Sequence, residues 1–339
     1  MSKRWIPLLL LPIAVAAGCG GEAESAPPSR TRPGSFGQAL NAWDTIPADS
    51  LYGATPVENL RVTPVELHVL GIPPGWEGMR IAAISDLQLD LWSGNGEVAA
   101  AAVAAAVSAR PDVVVLLGDY LGQGTDPSGL GRLFAPLQGI PTFAVLGDRD
   151  VRSDSLAARI SAALSAAGIR VLRNQAIPVG RGGDTASIAG VDADLVQETT
   201  GGQAWILSQL GLGGPVGLLI AHNPILAARA DEDRVPAAVA GGTFCGQVEI
   251  PGTPRLSWLN SEALPSALVD GAERLYRIGP MVLFVTCGTG YGFVPVRFGA
   301  PPEVALITLR SVAAPEEDPA AAPDTLMQQF EESLADTVR

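Results

Sequence analysis

Short apolar runs, separated by polar or glycine-rich segments, recur along the chain from about residue 65 onward. Several runs consist of valine, isoleucine, leucine and alanine without interruption, which is typical of strands buried on both faces of a sheet. The pattern predicts strands over residues 65–70, 80–85, 112–117, 142–146, 186–190, 216–221, 237–240, 281–286 and 304–309.

Two longer segments between these strands have the pattern of helices. Alanine, the strongest helix former, dominates residues 97–109 and predicts a helix over 96–110. A second helix is predicted over 153–168, with Ser153 as its N-cap and Gly168 at its end. Strands that alternate with helices or loops predict an α/β fold.

The two ends of the chain differ in composition from its middle. Residues 313–323 are rich in proline, alanine and acidic residues and are interpreted as a linker. Residues 324–338 could form one short amphipathic helix. We therefore predict one folded domain over residues 41–312, with the linker and the short helix over 313–339.

The first residues have the pattern of an export signal, with two basic residues before an apolar run over 5–17. The run is too short to span a bilayer, and two prolines lie within it. Ala16-Ala17-Gly18-Cys19 resembles a bacterial lipobox, whose cysteine is lipidated and becomes the first mature residue. This predicts a signal peptide over 1–18, a tether over 19–40, and export with lipid anchoring to the cell envelope through Cys19. An ordinary secreted protein is the alternative.

Composition limits the function classes. Of 339 residues, 47% are hydrophobic and 17% are charged, which excludes a disordered protein. The net charge is 22 minus 35, or -13, and loss of Lys3 and Arg4 with the signal makes it 20 minus 35, or -15. Because phosphate backbones are bound by clustered Lys and Arg, we expect no nucleic-acid partner.

Three predicted strands end in an aspartate, namely Asp86, Asp119 and Asp148. Reacting groups gather at the carboxyl ends of strands in α/β sheets, so these three side chains are expected to converge. Converging carboxylates repel one another unless a cation lies among them, which indicates a metal site. The alternative is that each aspartate caps the segment that follows it.

The order of these motifs resembles the calcineurin-like metallophosphoesterases, in particular their bacterial membrane-associated branch, over about residues 65–309. That family has Asp-x-His, Gly-Asp, Gly-Asn-His-Asp/Glu, a lone His, and Gly-His-x-His followed by Gly-Gly-Gln. The corresponding segments here are Asp86-Leu87-Gln88, Gly118-Asp119, Gly147-Asp148-Arg149-Asp150, Ala221-His222, and Gly241-Gly242-Thr243-Phe244 with Cys245-Gly246-Gln247. The resemblance implies a four-layer α/β/β/α sandwich of two mixed sheets flanked by helices.

The resemblance also implies two metal ions bridged by Asp119 and a catalytic histidine in the third motif. Three histidine ligands are replaced here by Gln88, Gly242 and Phe244, and Arg149 stands at the catalytic histidine. Glycine and phenylalanine offer no ligand atom, and glutamine offers only a neutral carbonyl oxygen. The residual metal ligands are Asp86, Gln88, Asp119, Asp148 and His222, enough for one divalent ion such as Mg²⁺ or Ca²⁺ at most, and no ion is the alternative.

Arg149 and Arg297 suit anion recognition, because a guanidinium group pairs with phosphate through two hydrogen bonds. The alternative for both is an ion pair with the remaining aspartates. His222 is either a metal ligand and catalytic candidate or a hydrogen-bonded structural residue. His68 lies in the first predicted strand, far ahead of the first motif, and is interpreted as a half-exposed strand residue.

Cys245 and Cys287 stand in two loops that are neighbours in the resembling family. In an exported protein, two adjacent thiols are expected to oxidise, so we predict a disulfide between them. Two buried thiols, or a soft metal site with His222, are the alternatives.

These observations together predict an envelope lipoprotein with a metallophosphoesterase-like fold whose two-metal site is lost. Such a pseudoenzyme would hold a phosphate-containing ligand or an envelope protein in the former cleft. The alternative is an active phosphoesterase with a remodelled one-metal site, in which Arg149 stabilises charge on the transferring group.

Overall fold

The computed structural model describes residues 51–52, 57–193, 216–228, 235–248, 274–292 and 294–312. Cys19 lies outside these residues, as do the predicted signal peptide, tether, linker and C-terminal helix. No helix within the described ranges is long and apolar enough to cross a membrane.

Strands account for most of the regular structure in these ranges. Their bounds are β1 (Leu51–Tyr52), β2 (Arg61–Leu70), β3 (Arg80–Ile84), β4 (Val113–Leu116), β5 (Thr142–Ala144), β6 (Arg170–Val171), β7 (Gln175–Arg181), β8 (Asp184–Val191), β9 (Val216–Ala221), β10 (Ala237–Ala240), β11 (Leu275–Ile278), β12 (Met281–Val285), β13 (Arg297–Phe298) and β14 (Glu303–Val312). The α-helices are α1 (Asn95–Ser108), α2 (Leu130–Phe134), α3 (Asp154–Ala166) and α4 (Pro224–Ala228).

Two six-stranded mixed sheets form the centre of the molecule. The first has the order β2-β14-β3-β4-β5-β6, and the second has the order β11-β12-β10-β9-β8-β7. Within them β3, β4 and β5 are parallel, as are β8, β9, β10 and β12. The carboxyl ends of each parallel set therefore lie at one edge of its sheet.

Successive side chains of a strand point to opposite faces of its sheet, so each sheet contributes to two separate parts of the core. In β3, Ile81 and Ala83 point between the two sheets, whereas Ala82 and Ile84 pack against the layer formed by α1, α2 and α3. The outer face of the second sheet packs against Ala227 of α4. The fold is thus two mixed sheets with helices on both outer faces, in agreement with the prediction.

All nine predicted strands are present, with bounds that differ by up to four residues. Helix α3 begins after Ser153, whose Oγ accepts a hydrogen bond from the Leu156 amide, as the N-cap prediction requires. Among the described residues, the sequence reasoning missed five strands, namely the edge strands β6, β7 and β11 and the two-residue strands β1 and β13. Strands β7 and β11 lack a continuous apolar run. Strand β7 also contains Pro178, which a central strand does not tolerate.

Candidate functional site

The carboxyl ends of the parallel strands of both sheets meet at one end of the molecule. Asp86 follows β3, Asp119 follows β4, and His222 follows β9. The two sheets are joined there, because His222 Nδ1 lies 2.8 Å from the Leu117 carbonyl oxygen and the Gly242 amide donates to Asp86 Oδ2 over 2.9 Å. Side chains from distant parts of the chain are thereby brought together at this end of the molecule, which we call the cleft after the phosphoesterase cleft that the family resemblance places there.

Asp86, Asp119 and His222 form a compact group, with one ligand atom from each lying within 4.8 Å of the others. All three are buried. His222 Nε2 lies 3.7 Å from Asp119 Oδ1. Two carboxylates and one imidazole at this spacing could share a metal ion or a proton.

The backbone determines which nitrogen of His222 faces the carboxylates. A carbonyl oxygen only accepts, so Nδ1 must donate to Leu117 and Nε2 is left toward Asp119. Burial lowers the pKa of His222, but Asp119, Asp86, Asp148 and the bond to Leu117 outweigh it and raise the pKa to about 9. Without a metal ion, His222 is therefore a cation that compensates the neighbouring carboxylates.

Both carboxylate oxygens of Asp119 accept hydrogen bonds from the protein. Oδ1 accepts from the Arg149 amide over 2.9 Å, and Oδ2 accepts from Gln88 Nε2 over 2.7 Å. Arg149 Nε also lies 3.6 Å from Oδ2. Burial raises the pKa of Asp119, and the charge on His222 opposes this shift.

Asp86 is only partly satisfied. Its Oδ2 accepts from Ser85 Oγ over 2.6 Å and from the Gly242 amide. Its Oδ1 is buried and has no hydrogen-bond partner in the described part of the chain, and the same is true of Gln88 Oε1. Unpaired buried acceptors are costly, so these two oxygens indicate a place for a cation or a donor group.

Backbone conformation at the site is unusual for residues with side chains. Asp86, Gln88 and Asp119 have φ values of 59°, 52° and 56°, in the left-handed region. Close packing requires a glycine at position 147, after β5, because a Cβ there would lie 2.3 Å from Asp119 Oδ1. Such conformations persist where surrounding contacts hold them, and they are concentrated at functional sites.

The donor set is a possible metal-binding group. Asp86, Asp119 and His222 could hold one ion, with Asp86 Oδ1 and Gln88 Oε1 as acceptors that lack another partner. Gly242 and Phe244 supply no ligand atom for a second. An ion at this site would supply Lewis-acid polarisation of a phosphoryl oxygen.

Three of the predicted site residues have contacts that refine their roles. Gln88 was expected to offer an oxygen to a metal ion; its Nε2 donates to Asp119, and its Oε1 has no partner among the described residues. Asp148 was also expected among the ligands, but its side chain is exposed and it is not part of the three-residue group. Arg149 forms the ion pair with Asp119 that was the alternative to anion recognition.

Arg297 has neither of the roles that the sequence suggested. It is completely buried, and its guanidinium donates to the carbonyl oxygens of Gly290, Cys287 and Ala300. Desolvation lowers its pKa to about 10. Its donors bind backbone, so Arg297 organises loops and is not placed to bind a ligand.

His68 lies in β2, outside the cleft, with Nε2 3.8 Å from Glu66. It is half-buried, as expected for a strand residue.

Sequence reasoning did not assign a role to Asp150, which is fully buried behind the site. Its carboxylate accepts from the amides of Asp119, Tyr120 and Gly147, and so holds the turns after β4 and β5 together. Burial, with the charge on Asp119, raises its pKa to about 7. The Gly-Asp-x-Asp spacing was the available signal, because a second aspartate directly behind a strand-end turn can bind exposed amides.

Cys245 and Cys287 are joined by a disulfide, as predicted. The bond links the loop after β10 to the loop after β12. Both cysteines are buried.

A family model described as calcineurin-like phosphoesterase matches residues 79–243. The chain is 26% identical over 266 residues to a Bos taurus protein named transmembrane protein with metallophosphoesterase domain, covering 74% of this chain and 57% of that protein. It is 25% identical over 261 residues to the uncharacterized metallophosphoesterase YkuE of Bacillus subtilis, covering 71% and 82% respectively. The chain thus spans less than two thirds of the length of the cattle relative.

A solved structure of phosphopantetheinyl hydrolase from Mycobacterium tuberculosis aligns with a TM-score of 0.37 and 13% identity, covering 73% of this chain and 99% of that one.

The two sheets, the strand-end aspartates and the matching family model define a metallophosphoesterase-type protein. The chain therefore contains a calcineurin-like phosphoesterase domain, matched over residues 79–243.

Proposed function

We propose that this chain is a non-catalytic member of the family, which binds a phosphate-containing ligand or an envelope protein in its cleft. The observation that carries the proposal is the environment of Asp119. Both of its oxygens accept hydrogen bonds from the chain's own donors, and the side chains of Gln88 and Arg149 stand where the family resemblance places a metal ligand and the catalytic histidine.

Charge balance supports the same proposal. Asp86 and Asp119 are neutralised from within the protein by His222, whose pKa is about 9, and by the guanidinium of Arg149. The cleft can therefore remain folded without a metal ion. In the third motif, Arg149 stands where the family resemblance places the catalytic histidine, so this motif offers no imidazole to assist a leaving group.

The test combines metal analysis with hydrolysis. Protein purified without chelator and offered Mg²⁺, Ca²⁺, Mn²⁺, Fe²⁺ and Zn²⁺ is expected to retain at most one ion per chain. It should not hydrolyse phosphomonoester, phosphodiester or pyrophosphate model substrates above the level of an Asp119→Asn variant. Two ions per chain, or hydrolysis that Asp119→Asn abolishes, would overturn the proposal.

One observation favours the alternative of a one-metal phosphoesterase. Asp86 Oδ1 and Gln88 Oε1 are buried acceptors without a partner among the described residues, beside Asp119 and His222. This alternative requires metal-dependent hydrolysis that Asp119→Asn removes. Arg149→Lys should lower that activity, because lysine keeps the charge but cannot pair bidentately with phosphate.

We also propose that the chain is exported and held at the cell envelope through lipidated Cys19. The lipobox-like segment and the short apolar run before it support this placement.

A further inference from the structure

The loop that carries the positions of two missing histidine ligands has a strained backbone. Between Gly242 and Gln247, the residues Phe244, Cys245 and Gln247 have φ values of 51°, 51° and 57°, and Gly242 and Gly246 also have positive φ. Left-handed backbone at residues with side chains is unfavourable, so other contacts must hold this loop in place. We call residues 241–247 the cleft loop.

One set of contacts comes from Arg297. Its buried guanidinium donates to Phe244 O in the cleft loop and to Cys287 O and Gly290 O in the loop after β12. The same guanidinium lies 5.4 Å from the ring centroid of Phe244 and 5.8 Å from that of Tyr291. Arg297 therefore joins the two loops.

A second connection between the two loops is covalent. The Cys245–Cys287 disulfide joins the middle of the cleft loop to the loop after β12. The Cys287 amide is itself bound by the buried carboxylate of Glu303, at the start of β14. The cleft loop is thus attached to the first sheet through this chain of contacts, in addition to the hydrogen bond from the Gly242 amide to Asp86.

We propose that the Cys245–Cys287 disulfide is a redox-dependent lock on the cleft loop. Opening the disulfide releases this wall of the cleft, whereas removing metal ions does not. This lock affects the conformation of the cleft, whether or not the cleft is catalytic.

The chemistry requires a reductant, which we specify as a dithiol. One thiolate of the dithiol attacks a cystine sulfur, so the cystine S–S bond breaks, one cysteine leaves as a thiol and a mixed disulfide forms. The second thiol of the reductant then attacks its own sulfur in the mixed disulfide and releases the other cysteine as a thiol. The protein gains two electrons and two protons as two thiols, and the dithiol becomes a disulfide. Because Cys245 and Cys287 are only 2% and 6% exposed, the lock remains closed until the loop opens locally.

Hydrogen exchange, measured by mass spectrometry on the full-length chain, tests the proposal. Three samples are compared: oxidised protein, protein reduced with dithiothreitol, and oxidised protein treated with EDTA. Reduction, verified by thiol counting, is expected to speed exchange at the Gly246 and Gln247 amides at least tenfold. These amides bond within the cleft loop, to Thr243 O and Phe244 O. Exchange in α1 should stay unchanged in all three samples, and EDTA alone should not affect the cleft loop.

Two variants complete the experiment. The Cys245→Ser/Cys287→Ser variant should reproduce the fast exchange of reduced protein, whereas Cys19→Ser removes the third cysteine and should exchange like the oxidised chain. If the double variant does not fold, the reduced wild type decides the outcome. Unchanged exchange in the cleft loop after verified reduction, or equal loosening by EDTA alone, would overturn the proposal.

Discussion

Single side chains decide the chemistry of the cleft, and their effects meet at Asp119. Its neighbours Gln88, Arg149 and His222 all direct hydrogen-bond donors or positive charge at one buried carboxylate. Charge-assisted hydrogen bonds of this kind are about twice as strong as neutral ones. The result is a compensated carboxylate at the position where the family resemblance places a bridging metal ligand.

Replacing Gly147 with alanine should disrupt this environment. The added Cβ would lie 2.3 Å from Asp119 Oδ1 and 2.5 Å from its amide nitrogen, which is too close for any real contact. We expect a loss of about 1–3 kcal/mol in the free energy of unfolding, the cost of overpacking a dense interior. Urea denaturation measures this change.

The matched control is Gly96→Ala in α1, where a Cβ meets nothing within 4 Å. Because alanine is the better helix former, that variant should be neutral or more stable by about 0.5–1 kcal/mol. Equal stability of the two variants would contradict the crowding at Asp119.

His222 should make the stability of chelator-treated protein depend on pH. Its folded pKa of about 9 lies above the ordinary value of 6.5, so its contribution is complete below about pH 6.5 and is lost as pH rises through 9. The shift corresponds to about 3 kcal/mol, as an order of magnitude. Urea denaturation between pH 6 and 10 should show this loss in the wild type and a smaller one in His222→Gln. Parallel pH profiles for the two proteins would show that His222 does not compensate the carboxylates.

The ends of the strands determine where the side chains of the site lie. Asp86, Asp119 and His222 lie within three residues of the ends of β3, β4 and β9, respectively. Residues in the loops hold neighbouring turns together, because the Asp150 carboxylate accepts hydrogen bonds from amides of two successive turns. The site is therefore as rigid as the sheets that support it.

Helix α3 depends on its N-cap, and Ser153→Ala should show this. Ser153 Oγ accepts from the Leu156 amide, a first-turn donor that has no partner four residues earlier and that also bonds to Ser153 O. We expect a loss of about 1 kcal/mol on thermal or urea unfolding. Ser165→Ala, at an exposed position of the same helix, should change stability by less than about 0.5 kcal/mol. A Ser153 variant as stable as the Ser165 variant would argue against the cap.

The molecule as a whole is built in layers, with a large apolar core between the sheets and a second core beneath α1, α2 and α3. The cleft lies at the end of this sandwich where the carboxyl ends of the parallel strands meet. Its loops are joined by a disulfide and a buried arginine, so its shape follows from covalent and hydrogen-bonded contacts within the chain.

The proposed lipid anchor predicts where the whole protein is found. In bacterial cells, the wild type should fractionate with membranes and incorporate labelled palmitate, whereas Cys19→Ser should do neither. Removal of the acylated residue eliminates the acyl chains that bind the bilayer. Each buried CH₂ group of such a chain contributes about 0.8 kcal/mol to the free energy of membrane binding. Cys245→Ser is the matched control and should remain in the membrane fraction. Unchanged fractionation and labelling of Cys19→Ser would exclude this anchor.

The sequence by itself determined the strands, because continuous runs of Val, Ile, Leu and Ala are stable only when both faces of a sheet are covered. The strand-end pattern also predicted that Asp86 and Asp119 lie together, whereas the place of His222 beside them was implied by the family resemblance. The edge strands β7 and β11 escaped prediction because their partial exposure leaves a mixed pattern of polar and apolar residues.

Only the tertiary structure decided what the remaining side chains do. Arg297 is bound by carbonyl groups, Arg149 pairs with Asp119, and Asp148 is exposed, although all three suited ligand binding by residue type. The physical reason is that charge and hydrogen-bonding capacity belong to a residue, whereas its partner is set by distances between segments far apart in the chain. Those distances exist only after the two sheets have packed.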